Sequence, residues 1–238
     1  MADRWVVLGG WGIAPEILEP VFGASSVYVD VNPLMDEIID NKRLHPDWRQ
    51  RSTSLLQPIL QQSSPSLLAG WSTGALIALG CAPLLSVNAL VCISATPSFC
   101  RTPEFTFGRH PRILRTMRKK LAADKQSVLD EFKQRCGIPD TLSYKTPWSA
   151  ETCSNGLHAL EQITLFDLPS LSCKPFLIHG TRDTIIALEG SDFLHRTLGG
   201  TFLPLDAPHA CFLNNTNIIR SAIDTYLEGL NNDAVQNR

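Results

Sequence analysis

Short apolar runs, each ended by glycine or a polar cluster and followed by a longer helical pattern, set the rhythm of this chain. Arg4–Leu8 runs into Gly9-Gly10-Trp11-Gly12, and Ser26–Asp30 comes next. Asp47–Gln62 has helical character, interrupted at Pro58. Ser66–Ala69 enters Gly70-Trp71-Ser72-Thr73-Gly74, after which Ala75–Gly80 predicts a helix. Ala89–Ser94, Pro175–His179 and Gly200–Leu205 complete the set of candidate strands. Apolar runs without alternation suit parallel strands buried on both faces, with helices as crossovers. The predicted fold class is α/β, with a mostly parallel sheet of about six strands.

Between Ser94 and Pro175 the rhythm breaks. No strand-like run appears there for roughly eighty residues, which is too long for a plain loop. Arg112–Cys136 instead places Ile113, Met117, Leu121, Val128, Leu129 and Phe132 at helical spacing. This pattern predicts a helical lid over residues 98–156, inserted into one discontinuous core formed by 1–97 and 157–230. The polar stretch 231–238 is expected to fray.

Composition narrows the class. The chain has 238 residues, is 44% hydrophobic and 18% charged, and carries a formal net charge of −2. It can bury a substantial core and is too apolar for a disordered segment. No apolar run approaches the roughly 20 residues needed to span a bilayer, and no secretory signal stands at the start. The 7 cysteines form no C-x-x-C pair, and an odd number cannot all pair within one chain. Reduced thiols, a cytoplasmic location and a monomer are expected, with no membrane partner, metal or cofactor. Net charge near zero argues against nucleic acid as a partner, yet the average conceals a division. Residues 101–150 hold 11 Lys/Arg against 5 Asp/Glu, a balance of +6, and the remainder holds 10 against 18, a balance of −8.

Candidate chemistry centres on G-x-S-x-G, read at Gly70-Trp71-Ser72-Thr73-Gly74. A sharp strand-to-helix turn lifts a serine Oγ clear of the sheet, and small neighbours let strand and helix approach closely. A serine hydroxyl needs a base, and the base needs an orienting carboxylate. In this arrangement the order along the chain is Ser, then Asp or Glu, then His. Asp183 follows the strand ending at His179, and His209 follows the strand ending at Leu205. Both sit where open α/β sheets place their sites. Ser72, Asp183 and His209 are therefore the candidate triad. The oxyanion donors expected are the backbone N–H of Thr73 and of Trp11, the latter in the glycine-rich loop after the first strand.

Competing candidates read as structural. His195 falls on a helical face, Asp206 reads as a loop cap, and Asp167 has no strand ahead of it. His179, at a strand end, could support the site without being its base. His45, His110 and His158 have no partner in the pattern. The glycines after the first strand do not make G-x-G-x-x-G, and Asp30 is the one residue that invites a dinucleotide reading.

Read together, these residues resemble the α/β-hydrolase superfamily, and within it the carboxylesterases of biotin synthesis that cleave pimeloyl-acyl-carrier-protein methyl ester. The matching pieces are Gly10-Trp11-Gly12, the Gly70–Gly74 turn, Ile93-Ser94-Ala95-Thr96-Pro97-Ser98-Phe99, the Asp183 loop and Ala207-Pro208-His209-Ala210. The resemblance implies a Ser72–Asp183–His209 triad, a substrate contact at Trp11 and an acyl pocket lined by Phe132. It also implies acyl-carrier protein as partner, drawn by lid cations of which Arg112, Arg115, Arg118, Lys119 and Lys120 are the candidates. The family's lid arginines do not align one for one with Arg109, Arg112, Arg115, Arg118, Lys119 and Lys120, and the sheet is expected to lack the leading strands usual in the superfamily. A small-molecule esterase, thioesterase or C–C hydrolase or lyase of the same fold, and a non-catalytic interaction protein, remain the alternatives.

Overall fold

The computed structural model describes residues 4–62, 65–142 and 147–236. Strand β1 (Trp5–Leu8) leads through α1 (Glu19–Phe22) to β2 (Val27–Val29) and α2 (Val31–Ile38). A small hairpin of β3 (Ile39–Asp40) and β4 (Arg43–Leu44) precedes α3 (Trp48–Leu60). Next come β5 (Leu67–Trp71), α4 (Thr73–Cys81) and β6 (Ala89–Ile93), then α5 (Arg112–Ala123), α6 (Lys125–Arg135) and α7 (Ala150–Gln162). The remaining elements are β7 (Phe176–Gly180), α8 (Glu189–Leu198), β8 (Thr201–Leu205) and α9 (Thr216–Gln236).

Six strands form one sheet in the order β2-β1-β5-β6-β7-β8, and all its neighbouring pairs are parallel. Each of the six apolar runs predicted as strands contributes one. Burial accounts for their composition. The inner strands β1, β5, β6 and β7 are buried at every position, because helices cover both faces. The edge strands β2 and β8 are partly exposed. Pro204, which cannot donate to a ladder, falls in edge strand β8. Helix α4 is buried along its whole length beneath the central strands.

Several details differ from the sequence expectation. Helix α3 runs through Pro58 rather than breaking there. The proline deprives only the Ser54 carbonyl of its donor, and Ser54 is exposed, so water can take that place. The helical run after Arg112 is two helices, divided at Asp124, whose side chain caps α6 by accepting from the Ser127 N–H. Helix α7 continues unbroken across the boundary expected at residue 156. Helix α9 extends to Gln236, so residues 231–236 are helical, and the last two positions lie outside the described residues. The β3–β4 hairpin turns through Asn41 and Lys42 at φ 47° and 65°. Such short strands carry too little periodicity to be read from sequence.

Candidate active site

Topology gathers four loops at the carboxyl edge of the sheet: those after β1, β5, β7 and β8. Ser72 stands between β5 and α4 with φ 55° and ψ −116°, a strained conformation for a residue with a side chain. The turn is held because its neighbours are glycine. A Cβ on Gly70 would collide with the Gly74 carbonyl, and one on Gly74 with the carbonyls of Leu8 and Gly9. The Ser72 N–H donates to the Ile93 carbonyl at 2.9 Å, which fixes the turn to β6. Thr73 opens α4, so its N–H has no intrahelical acceptor and points out of the helix N-terminus.

Trp11 lies in the loop after β1. The loop is pinned by two amides, Gly9 N–H to the Val29 carbonyl at 3.1 Å and Gly12 N–H to Asn32 Oδ1 at 2.9 Å. Gly12 takes φ 66°, which favours glycine. The Trp11 indole is buried, donates from Nε1 to the Cys153 carbonyl at 2.8 Å and meets Phe132 edge-on at 5.0 Å. Asp30, the residue that invited a dinucleotide reading, spends its carboxylate on structure. It accepts from the Asn32 N–H and Nδ2 at 2.9 and 2.7 Å and from Trp148 Nε1.

His209 and Asp183 meet across the loops after β8 and β7. His209 Nδ1 lies 2.6 Å from Asp183 Oδ2, and both side chains are fully buried. Asp183 Oδ1 accepts from the N–H groups of Ile185 and Ile186 at 2.7 and 2.9 Å. Burial opposes a charge on Asp183, but the His209 ring beside it and hydrogen bonds from His179 and His209 outweigh burial. They hold its carboxyl well below the usual carboxylate range. The backbone of His209 is clamped as well, its carbonyl accepting from Ser94 Oγ at 3.0 Å and Trp71 Nε1 at 3.2 Å. His209 Nε2 is buried and has no hydrogen-bond partner among the described residues. The nitrogen a base would use is thus sequestered and unspent.

A cavity of about 500 Å³ opens over these loops. Ser72, Thr73 and Trp11 line it together with Phe132, Met117, Leu114, Val128, Leu157 and Leu160, so its walls come from α5, α6 and α7 and are largely apolar. Arg112 and Lys120 also reach it. Of the cations expected to dock a partner, Arg115 and Arg118 both pair with Glu161, at 3.1 and 2.5 Å, and Lys120 pairs with Glu131 at 3.3 Å. Arg118 is half-buried and also donates to the Leu157 carbonyl. Arg112 and Lys119 are exposed.

Two competing candidates lie at the site, His110 lining the cavity with Nδ1 accepting from the Arg112 N–H at 3.1 Å and His179 standing 3.3 Å from Asp183 Oδ2, and the others are placed elsewhere. Asp167 pairs with Arg49 at 2.6 Å and Asp206 with Arg182 at 2.7 Å. His195 packs beside Phe202 on α8, and His45 lies against Arg51. His158 lies on α7, where burial and the charge of Arg118 lower its pKa. The thiols are no rival nucleophiles, since burial pushes Cys81 and Cys211 up to about 12 and Cys136 well above its ordinary value.

Two residues named in the sequence reading have roles that it did not give. Arg109 donates from Nε to the Ile185 carbonyl at 2.8 Å and from Nη2 to the Thr184 carbonyl at 2.5 Å, tying the segment before α5 to the Asp183 loop. No local pattern marks an arginine for that task. Ser94, at φ 51°, clamps His209, and its position directly after β6 was the available signal.

No family model matches the chain. Among curated proteins, it is 26% identical over 228 residues to the pimeloyl-[acyl-carrier protein] methyl ester esterase of Stenotrophomonas maltophilia, covering 83% of this chain and 87% of that protein. The protein of the same name from Pseudoalteromonas atlantica is 24% identical over 243 residues and covers 90% of each. Among solved structures, an esterase from Exiguobacterium antarcticum superposes with a TM-score of 0.74 at 17% identity, over 96% of this chain and 93% of that one. A bromoperoxidase from Bacillus anthracis gives 0.72 at 16%, over 95% and 92%. Neighbours with such different names share an architecture rather than a reaction. The chain has the α/β-hydrolase fold, and its curated relatives are esterases by name.

Proposed function

We propose that this protein is a serine carboxylesterase that hydrolyses the methyl ester of a pimeloyl chain carried on acyl-carrier protein. The observation that carries the reading is the buried Asp183–His209 pair at 2.6 Å, whose histidine carbonyl accepts from Trp71 Nε1 next to the strained Ser72 turn, with Ser72 itself lining an apolar cavity. The names of the curated relatives support the substrate. In this mechanism His209 Nε2 takes the Ser72 proton as Oγ attacks the ester carbonyl. Asp183 holds the imidazole in the Nδ1–H tautomer and stabilises the imidazolium that forms. The N–H groups of Thr73 and Trp11 receive the oxyanion, and His209 returns its proton to the departing methoxide, so methanol leaves. Water, deprotonated by His209, then cleaves the acyl-enzyme. The apolar walls from α5, α6 and α7, with Phe132 against Trp11, suit a methylene chain, and the helical insertion acts as a lid.

The exposed cations Arg112 and Lys119 are the part of the insertion best able to steer an acidic carrier protein. A cytoplasmic monomer fits the role. Among the described residues no helix is long and apolar enough to cross a membrane. A second reading, a small-molecule ester or thioester hydrolase, is favoured by the ion pairs that already occupy Arg115, Arg118 and Lys120.

Incubation with pimeloyl-carrier-protein methyl ester, followed by mass measurement, tests both. Loss of the methyl group with wild type and not with Ser72→Ala is the expected result. Reversing the charges of Arg112 and Lys119 should raise KM for the carrier-linked ester and spare short esters. Ser72-dependent turnover of short esters without demethylation of the carrier-linked one would leave only the second reading.

A further inference from the structure

His179 is fully buried at the end of β7 and has no part in the mechanism above. Its Nε2 lies 3.2 Å from the Ile186 carbonyl and 3.3 Å from Asp183 Oδ2. Both are pure acceptors while Asp183 is ionised, so Nε2 carries a proton whether the ring is neutral or charged. Nδ1 lies 2.7 Å from Ser191 Oγ, which in turn lies 3.1 Å from the Ala95 carbonyl. A hydroxyl has one proton to give. With the ring neutral, that proton points at Nδ1. With the ring charged, Nδ1–H donates to Oγ and the hydroxyl turns to Ala95. Neither arrangement takes the proton from Nε2.

Asp183 Oδ2 therefore stands between two imidazoles, His209 at 2.6 Å and His179 at 3.3 Å, and none of the three side chains touches solvent. The Nε2 proton is given to the Ile186 carbonyl while the ring edge stands within ion-pair distance of Oδ2, and in a dry site its positive end draws off charge that would otherwise stabilise the His209 imidazolium.

We propose that His179 is a positioning residue of the triad, whose Nε2 edge, facing Asp183 Oδ2 at 3.3 Å, holds that carboxylate in place and tempers its pull on His209. The inference rests on the esterase reading and deepens it. The ionisable groups around the pair come from several elements. Asp183 and His209 lie on the loops after β7 and β8, Cys136 at the end of α6 and Cys211 beside His209. Helix α8 presents the uncharged Ser191, and the segment after β6 the Ala95 carbonyl. Burial raises both thiols, which leaves the carboxylate and the two rings as the ionisable groups in contact with one another.

The test is the pH dependence of kcat/KM on a short chromogenic ester, whose acid limb reports the base of the free enzyme. His179→Leu removes the donor, so the limb should move up by about half a unit to one unit, with activity on that limb falling roughly 3- to 10-fold. His179→Gln keeps an N–H donor and should return the limb toward wild type. A folded His179→Leu protein with an unmoved limb overturns the proposal. If that variant does not fold, nitrogen-15 NMR of histidine-labelled wild type decides the matter. A protonated His179 Nε2 across the active pH range is expected, and a tautomer protonated at Nδ1 alone overturns the role. Ser72→Ala separates the two failures. Without Ser72-dependent turnover the esterase reading falls and the NMR result judges the hydrogen bond, whereas Ser72-dependent turnover with an unmoved limb removes only the role of His179.

Discussion

Gly156 lies in the middle of α7, and replacing it by alanine sets two effects against each other. Helix propensity favours alanine by roughly 1 kcal/mol in a helix interior. Against this, a Cβ at position 156 would collide with Trp11 Cδ1 and come within 2.8 Å of its Nε1. The indole is held on two sides and by its own hydrogen bond. It is 1% exposed, Phe132 stands edge-on at 5.0 Å, and its N–H is committed to the Cys153 carbonyl. Overpacking costs about 1–3 kcal/mol. Leaving a buried hydrogen-bonding group unpaired costs about 1–3 kcal/mol more. The clash wins, and Gly156→Ala should destabilise by roughly 1–5 kcal/mol once the propensity gain is subtracted. Gly229→Ala supplies the control. Gly229 is exposed in α9 with nothing within 4 Å of its added Cβ, so the same substitution should stabilise by up to about 1 kcal/mol. Equilibrium urea unfolding of both variants, with unchanged m-values, reads the two signs directly. A Gly156→Ala protein as stable as wild type would refute the argument, because the indole would then not be pinned on α7. If the Trp11 N–H serves the oxyanion, Gly156→Ala should also slow ester turnover.

Acid stability offers a second check. The folded carboxyl of Asp183 sits below its unfolded value, so as pH falls the unfolded chain takes up the proton first. The stabilisation is present above the unfolded pKa of about 4 and is lost as pH drops toward the folded value. Wild type should therefore lose urea resistance between pH 5 and pH 3, roughly, more steeply than Asp183→Asn, and equal slopes would contradict this. The two arginines on Glu161 should differ too. Arg118→Ala should cost about 1–3 kcal/mol, since its side chain is 13% exposed and leaves a half-buried carboxylate short of a partner. Arg115→Ala, at 65% exposure, should cost under about 1 kcal/mol in the same thermal or urea assay, and equal losses would count against the burial argument.

The six strands were readable because inner parallel strands must be apolar on both faces, and a run such as Ala89–Ile93 has no other comfortable place. Ser72, Asp183 and His209 were readable as candidates because each follows a strand, and parallel topology brings such ends together. What stayed hidden depends on distant partners. The pairing of Arg118 with Glu161 joins α5 to α7 across 43 residues, and nothing in either helix announces the other. For the same reason a run of lid cations looked like a free surface when much of it was occupied. His179 showed its location but not its contact, since the i,i+4 spacing to Asp183 becomes an interaction only through the turn after β7. Helix α7 was lost because small and polar residues dilute its apolar stripe, and one of them, Gly156, is small to admit Trp11.

Arg109 gives the molecule a mechanical property. Its guanidinium bridges from the segment before α5 to the carbonyls of Thr184 and Ile185, next to the amides that hold Asp183 Oδ1. Cavity wall and Asp183 loop are thus geared to one another, since Arg109 lines the cavity and a displacement of either side loads the same guanidinium.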